Sequence, residues 1–187
     1  MAKYGASAVV IASLDVDTET YSNGAVYSKL MSVSVTPNYA EGSLYADDER
    51  AEYVKVFKDA GIDLETDTIP LMLGELLFGH KIGTGSGDDK DEETSNKDDV
   101  ANYSGLGFMR QEVVHGVHQF CSVWLPKVKF SEGEDSCQAV GENLSLSGHK
   151  LSGSASSNNA GVWRQRKRFA TRAEALAYLK KKANITE

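Results

Sequence analysis

The sequence predicts a mainly β fold of the α+β class, with one short internal helix and one helix at the C-terminus. Segments rich in β-branched or alternating residues fill most of the chain, a His-Gly pair separates two of the longest, and a helix-capping pattern stands near the end. The chain has 187 residues, of which 41% are hydrophobic, and this suits one domain with a substantial core. We therefore predict a single domain over residues 1–187.

The first predicted strands lie between residues 26 and 66. Residues 26–39 form a β-branched stretch that ends at a Pro-Asn pair, and residues 43–46 form a short strand before an acidic corner. Residues 53–58 alternate imperfectly. After an Ala-Gly turn, residues 62–66 alternate with acidic side chains, and this period of two indicates a half-buried strand.

Two helices are predicted from the signals at their ends. The first covers residues 70–78, where Pro70 suits a first helical position and Gly79 suits a left-handed C-terminal cap. The second begins at a capping box, in which Thr171 stands three positions before Glu174, and it ends in three lysines that the helix dipole favours. Its predicted apolar side consists of Ala173, Leu176, Ala177 and Leu179.

Four further strands are predicted in the second half of the chain. They cover residues 103–114, 117–130, 140–151 and 162–169. The pair His115-Gly116 lies between the first two of these strands, where a tight hairpin turn is expected.

Residues 83–99 form the one low-complexity segment, which is glycine-rich at first and then acidic. Seven acidic and two basic residues occupy positions 88–99. Glycines and like charges both oppose a packed structure, so the segment is predicted to be a loop that is mobile in the free protein. The residues that define this loop are Gly83, Gly85, Gly87, Asp88, Asp89, Asp91, Glu92 and Glu93.

His115, His118 and Cys121 are the strongest candidates for a metal site. A spacing of three on a strand places successive residues on opposite faces, so they converge only if the turn folds them together, and Cys137 would have to come from a distant loop. The acidic run lacks the order of a calcium loop, and neither a phosphate-binding glycine motif nor a nucleophilic-serine elbow occurs. We therefore predict no catalytic residue, metal or cofactor.

The composition excludes several classes of protein. Lys and Arg number 20 against 27 Asp and Glu, and the formal charge of −7 disfavours extensive binding to nucleic acid. The longest clean apolar run, residues 8–12, is far shorter than the roughly 20 residues of a membrane span, so no membrane contact is expected. Two cysteines are too few for disulfides to hold together a fold of this size. Reduced thiols in a cytosolic protein are therefore expected.

Charge is distributed unevenly along the chain. Residues 41–67 hold nine acidic and three basic residues, whereas residues 164–182 hold eight basic residues and one acidic residue. These stretches are either two solvated faces or a self-complementary pair that joins copies head to tail into rings or filaments. The residues predicted to contact another subunit are Arg164, Arg166, Lys167, Arg168, Arg172, Asp47, Asp48, Glu49 and Glu52.

Several segments, in their order along the chain, resemble the major tail proteins, or tail tube proteins, of bacteriophages with long non-contractile tails. The closing strand at Trp163 and the helix over residues 171–179 also fit, and the resemblance spans about residues 25–180. The acidic insert is longer than this family leads us to expect. The segments that carry the resemblance are Val33–Asn38, Gly42–Asp48, Ile69–His80, Asp99–Phe108 and Val123–Phe130.

This resemblance implies an antiparallel β-sandwich or barrel and rings of six subunits that stack into a tube around a tape-measure protein. It also implies terminator and distal tail proteins as partners, assembly in the host cytoplasm and a place in the virion tail. The genome would pass through the lumen without specific binding. The tube of a contractile injection or secretion apparatus is an alternative, and a small β-sandwich module or enzyme that uses the His115–Cys121 region is another.

Two expectations about assembly follow. An N-terminal arm over residues 1–20 and the loop over residues 83–99 are expected to be mobile in the monomer and to dock on neighbours in the tube. The basic stretch 164–182 is expected to pair with the acidic stretch 41–67 of an adjacent subunit.

Overall fold

The computed structural model describes residues 2–27, 29–46, 49–83, 90–134 and 148–185. This part of the chain is mainly antiparallel β structure with two short helices, which confirms the predicted fold class. The elements are β1 (Ala2–Asp15), β2 (Thr20–Val26), β3 (Leu30–Ala46), β4 (Glu49–Thr66), α1 (Leu71–Phe78), β5 (Lys81–Ile82), β6 (Glu93–Thr94), β7 (Tyr103–Val114), β8 (Val117–Glu132), β9 (His149–Ser156), β10 (Gln165–Phe169) and α2 (Arg172–Lys182).

Eight of the described strands form one sheet. Its order is β2-β1-β7-β8-β9-β4-β3, with β10 paired to β8 beside that path, while β5 and β6 form a separate two-stranded sheet. The sheet curls so that β1 and β3, which lie near opposite ends of the strand order, contact each other. The space between these two ends is the main core, where Ile11, Ile62 and Phe130 are buried and α1 contributes Leu73 and Leu77.

A second core lies on the other face of β1, β7 and β8, under α2. Trp124 is its largest side chain, and Leu179 of α2 packs there with it. Gly105 and Gly107 of β7 leave room for the indole, because a Cβ atom on Gly105 would lie 2.4 Å from Cζ2 of Trp124. The hydroxyl of Ser122 donates a hydrogen bond of 2.8 Å to the carbonyl oxygen of Ala175 and ties β8 to the helix.

Strand β8 is shared by two partners on the side away from β7. Residues 120–124 pair with β10, and residues 127–132 pair with β9. Pro126 lies between these two stretches, where the backbone N–H group that proline lacks is not needed by either ladder. Its carbonyl oxygen instead accepts a hydrogen bond of 2.8 Å from the hydroxyl of Tyr21.

The prediction of an N-terminal arm is wrong for residues 2–15, which form β1 between β2 and β7. Residues 9–12 are fully buried, with Val9 and Ile11 in the main core and Val10 and Ala12 in the second core. A strand that is covered on both faces has a continuous apolar sequence rather than an alternating one. One of the two partners of β1, namely β7, lies about a hundred residues away in the chain, so that pairing leaves no local trace in the sequence.

The hairpin of β3 and β4 replaces four shorter predicted strands. The predicted end at Pro37-Asn38 is wrong, because β3 continues to Ala46 and Pro37 pairs with Ala60. Proline is tolerated there because β3 is an edge strand of the sheet. The predicted turn at residues 60–61 is likewise part of continuous β4.

The signals for turns and helix ends are largely confirmed. β7 has the predicted bounds, and His115 and Gly116 both adopt positive φ, of 50° and 81°, as a tight hairpin turn requires. Gly79 caps α1 with φ of 78°, whereas Pro70 is its N-cap rather than its first helical residue. Both hydrogen bonds of the capping box at Thr171 are present.

Three predicted elements differ from the structure. The buried side of α2 consists of Ala175 and Leu179, while Ala173 and Ala177 are exposed. The strand predicted over residues 140–151 is described only from residue 148, and β9 runs from His149 to Ser156. The strand predicted over residues 162–169 begins at Gln165.

Candidate functional site

A two-stranded ribbon projects from the body of the protein. Among the described residues, strand β9 pairs with β4 only from Ala60 to Thr66, and residues 38–46 of β3 and 49–59 of β4 have no strand partner there except each other. We call this part of the hairpin the ribbon. At about 3.3 Å per residue its nine-residue arm extends roughly 30 Å. Every side chain described between residues 38 and 56 is exposed.

One face of the ribbon is almost entirely apolar. Val54 pairs with Gly42, Val56 pairs with Ala40, and Leu44 pairs with Glu52, so these side chains share a face. Leu44 is 61% exposed, Val54 is 51% exposed and Val56 is 58% exposed. We call this surface the aliphatic face.

On the opposite face of the ribbon, the charged side chains contact other residues of the ribbon. Glu41 and Lys55 form an ion pair across the strands, and the ammonium group of Lys55 lies 4.9 Å from the ring centre of Tyr39. The guanidinium of Arg50 lies 4.4 Å from the ring centre of Tyr53. The two faces therefore differ: the polar groups of one face have partners within the ribbon, and the other face is hydrocarbon apart from Glu52 near the tip.

The base of the ribbon is fixed to the body by stacked aromatic rings. The ring of Phe57 stacks on Trp163 at 4.5 Å between centres and with 12° between planes. Tyr39 meets the edge of Phe57 at 6.2 Å. A register shift between Asn38 and Tyr39 leaves Lys58 as an extra residue in β4, and such a bulge turns a strand and changes which side chains face the core.

The acidic contact candidates that the structure describes lie on the ribbon. Glu49 opens β4 and Glu52 sits on the aliphatic face near the tip, and both are exposed. Asp47 and Asp48 lie outside the described residues. Within one subunit these carboxylates lie on a different element from the basic stretch, as head-to-tail pairing between copies requires.

The basic stretch divides between the two faces of β10. Arg166 and Arg168 pair with Val123 and Cys121 of the main core, so they share the inward face of β10, and Arg164 directly precedes the strand. Lys167 faces the opposite way, with its ammonium 5.3 Å from the ring centre of Phe169. Arg172 is exposed at the start of α2.

Arg168 is held inside its own subunit by Glu112. The fully buried carboxylate of Glu112 accepts a hydrogen bond of 2.8 Å from Nε of Arg168 and one of 2.9 Å from Nε of Arg110. Burial acts to raise the pKa of Glu112, but the hydrogen bonds and charges of Arg168 and Arg110 outweigh it, so this pKa lies below its usual value. Burial, reinforced by the charge of Glu112, raises the pKa of the nearby thiol of Cys121.

The acidic segment is tied to the body at its far end. Strand β6 pairs with β5, and the backbone of Gly83 exchanges hydrogen bonds with Glu92 and Asp91. The carboxylate of Glu93 lies 2.7 Å from Nδ1 of the buried His80. Hence this end of the loop has packed contacts that its composition did not suggest. The candidates Gly85, Gly87, Asp88 and Asp89 lie outside the described residues.

His115, His118 and Cys121 do not converge. His115 lies in the exposed hairpin turn, Nδ1 of His118 lies 2.6 Å from the hydroxyl of Tyr4, and Cys121 is buried in the main core. Cys137 is not among the described residues. In the part of the chain that the structure covers, no group of three His, Cys, Asp or Glu side chains is placed to hold a metal ion.

Sequence reasoning missed Glu112 and Arg110 as partners of the basic stretch. Both lie on β7, far from β10 in the chain, and only the folded sheet brings them together. The alternation of Arg164, Arg166 and Arg168 could have indicated a cationic surface, since a period of two places three arginines on one face of a strand.

None of the helices among the described residues has the length and apolar character needed to cross a membrane. No protein-family model and no curated protein matches this chain.

Proposed function

We propose that this protein is the structural subunit of a homopolymer, and that the polymer is a bacteriophage tail tube built of stacked six-membered rings. The observation that carries self-assembly is the ribbon, with its exposed aliphatic face. The identity of the polymer rests on the ordered sequence segments that resemble tail tube proteins. Residues of the subunit act by contact and shape, not by chemistry on a substrate.

An isolated two-stranded ribbon is at best marginally stable in water. Its aliphatic face groups Leu44, Val54 and Val56, and contiguous exposed apolar patches mark interaction sites. Burial of such a side chain contributes about 1.5–3 kcal/mol, so three of them covered by another protein would stabilise the contact appreciably. No strand in the described part of the chain pairs with the outer edges of the ribbon, and such edges are templates for further strand pairing.

The charges favour a second copy of the same chain as the partner. The described ribbon carries Glu49 and Glu52 near its tip, and the outward part of the basic stretch presents Lys167 on β10 and Arg172 at the start of α2. Opposite charges on different surfaces of one subunit select head-to-tail contacts, which close into rings or propagate as filaments.

A net charge of −7 suits a conduit for DNA. Basic groups that line a bore would release counterions and bind phosphates, which would slow the passage of the genome. An acidic or neutral lining repels DNA only within about 8 Å at physiological salt, so it keeps the wall from adhering without blocking entry.

Negative-stain electron microscopy of concentrated wild-type protein tests the proposal. Hollow tubes are expected, and the double variant Val54→Asp, Val56→Asp should remain dispersed because it places charge on the aliphatic face. Val117→Asp is the matched control, since Val117 is 57% exposed in the hairpin of β7 and β8, away from the ribbon. Wild-type protein that stays monomeric at every concentration, or a double variant that still forms tubes, would contradict the proposal.

Charge reversal tests the head-to-tail pairing. Arg172→Glu should slow assembly at low salt, and Glu52→Arg in the same chain should restore it if these groups attract each other between copies. Equal assembly rates for the single and double variants would show that this pair of charges does not direct the contact.

A further inference from the structure

A cavity of about 430 Å³ opens between the two ends of the curled sheet. Its walls come from β1, β3, β7, β8 and the β10 region. The floor is apolar and includes Val33, Phe108 and Val123. Cavities of this size accommodate small molecules.

The rim of the cavity is cationic. Lys3, Arg110, Arg164 and Arg166 line it, and none of its lining residues in the described part of the chain is acidic. Burial, together with the neighbouring charges of Arg166 and Arg110, lowers the pKa of Arg164. Crowded like charges of this kind raise the energy of the empty site and favour an anion within it.

Glu112 holds Arg110 in the cavity wall and does not neutralise the other cationic side chains of the rim. Nε and Nη2 of Arg110 both lie 2.9 Å from Oε1 of Glu112, while Oε2 accepts from Arg168. Both carboxylate oxygens are therefore occupied by these two arginines. The contact fixes the plane of the Arg110 guanidinium and does not involve its Nη1 atom. Glu112 is a positioning residue, because it acts through Arg110.

The backbone beside Arg110 is irregular. Tyr4 pairs with Gln111 and Ser7 pairs with Met109, so two residues of β1 face Arg110 alone. Gly5, one of these two, has φ of 58°, a conformation that glycine adopts without strain. Bulges of this kind re-aim side chains and are frequent next to functional sites.

We propose that this cavity is a binding site for a small phosphate-bearing anion. Arginine side chains present planar, forked donors that match phosphate oxygens, and several of them converge on one compact volume here. A ribbon from a second copy is a poorer occupant, because two paired strands with their side chains need more space than a cavity of about 430 Å³ offers. The inference does not depend on tube formation.

Isothermal titration calorimetry with inorganic phosphate and with pyrophosphate tests this site in the full chain. Saturable binding with one site per subunit is expected for at least one of these probes. Arg166→Gln and Arg164→Gln should each weaken the affinity about tenfold, since each removes a charge-assisted contact. Lys127→Gln is the control, because it removes one positive charge from β8 outside the cavity and should leave the affinity unchanged.

Amide chemical shifts locate the bound anion. Phosphate is expected to move the resonances of residues 3–6 and of Arg110, and Arg166→Gln should abolish these changes while the rest of the spectrum stays folded. Absence of saturable binding to both probes, or equal weakening by the control variant, would overturn the proposal. If a peptide of residues 41–56 bound in an Arg166-dependent manner while both phosphates failed, the cavity would instead receive a neighbouring ribbon and the proposal would be wrong.

Discussion

The inner and outer halves of β3 and β4 have similar residue types and opposite surroundings. In the inner half, Ile62 and Leu64 are 1% and 2% exposed in the main core, and in the outer half Val54 and Val56 are more than half exposed. Both pairs are aliphatic residues on the same strand. Burial here depends on what lies opposite the strand, since only the inner half has β9 and β1 to cover it. In the polymer that we propose, a neighbouring subunit would cover the outer half.

The largest expected difference is between core and ribbon truncations. Leu64→Ala should lower the free energy of unfolding of the monomer by about 2–5 kcal/mol, because it leaves a cavity in the main core. Val56→Ala should lower it by less than about 1 kcal/mol, because little is packed against Val56. Urea denaturation of both variants measures this. Equal losses would mean that the ribbon is already covered in the monomer.

A smaller loss is expected for Glu112→Gln, and it should depend on pH. The folded-state pKa of Glu112 lies below the unfolded value, so its ionisation stabilises the fold above about pH 4.3 and this contribution is lost as pH falls through the folded-state pKa. The difference in unfolding free energy between the wild type and Glu112→Gln should therefore narrow on acidification from pH 7. A difference that widens at low pH would contradict the assigned contacts.

Two glycine substitutions sharpen the comparison. Gly105→Ala should lower the free energy of unfolding by about 1–3 kcal/mol, because the new methyl group overlaps Trp124 and the neighbouring Tyr21. Gly42→Ala on the ribbon meets nothing within 4 Å and should change stability by about 0.5 kcal/mol or less. Thermal unfolding of the two variants tests this. A strongly destabilised Gly42→Ala monomer would show that something packs on the aliphatic face.

The smallest of these effects belongs to the capping box. Thr171→Ala removes the hydrogen bond from the backbone N–H of Glu174 and should lower the free energy of unfolding by about 1 kcal/mol. Ser43→Ala is the matched control on the exposed ribbon and should have no measurable effect. Chemical denaturation followed by far-ultraviolet circular dichroism compares them. Equal stability of Thr171→Ala and wild type would indicate that α2 is held by its packing on Trp124 alone.

Local signals predicted the local structure, and long-range pairing escaped them. The strand at Tyr103–Val114, the left-handed cap at Gly79 and the capping box at Thr171 follow from nearby residues, and the structure has them as expected. The position of β1 depends on distant β7. The run of apolar residues at 8–12 suits a strand buried on both faces, but the run does not indicate that β7 is the strand that pairs with it.

The candidate site was predictable in charge but not in geometry. The sequence marked the acidic and basic stretches, while the fold divides the basic stretch between the inner and outer faces of β10. Arg168 donates a hydrogen bond to Glu112 within the subunit. Replacing Arg168 by an acidic residue would therefore bring two carboxylates together and disturb the fold. Assembly experiments should therefore alter the outward residues Lys167 and Arg172.

The way the ribbon joins the sheet sets how the subunit resists mechanical load. Strand β4 continues from the ribbon, through the bulge at Lys58, into its pairing with β9 at seven positions. Tension along the ribbon axis therefore shears those seven positions at once instead of peeling them apart one by one. In the proposed polymer, a neighbouring subunit that pulled on the ribbon would load all seven paired positions together. The connection would yield only when the whole β4–β9 ladder slipped.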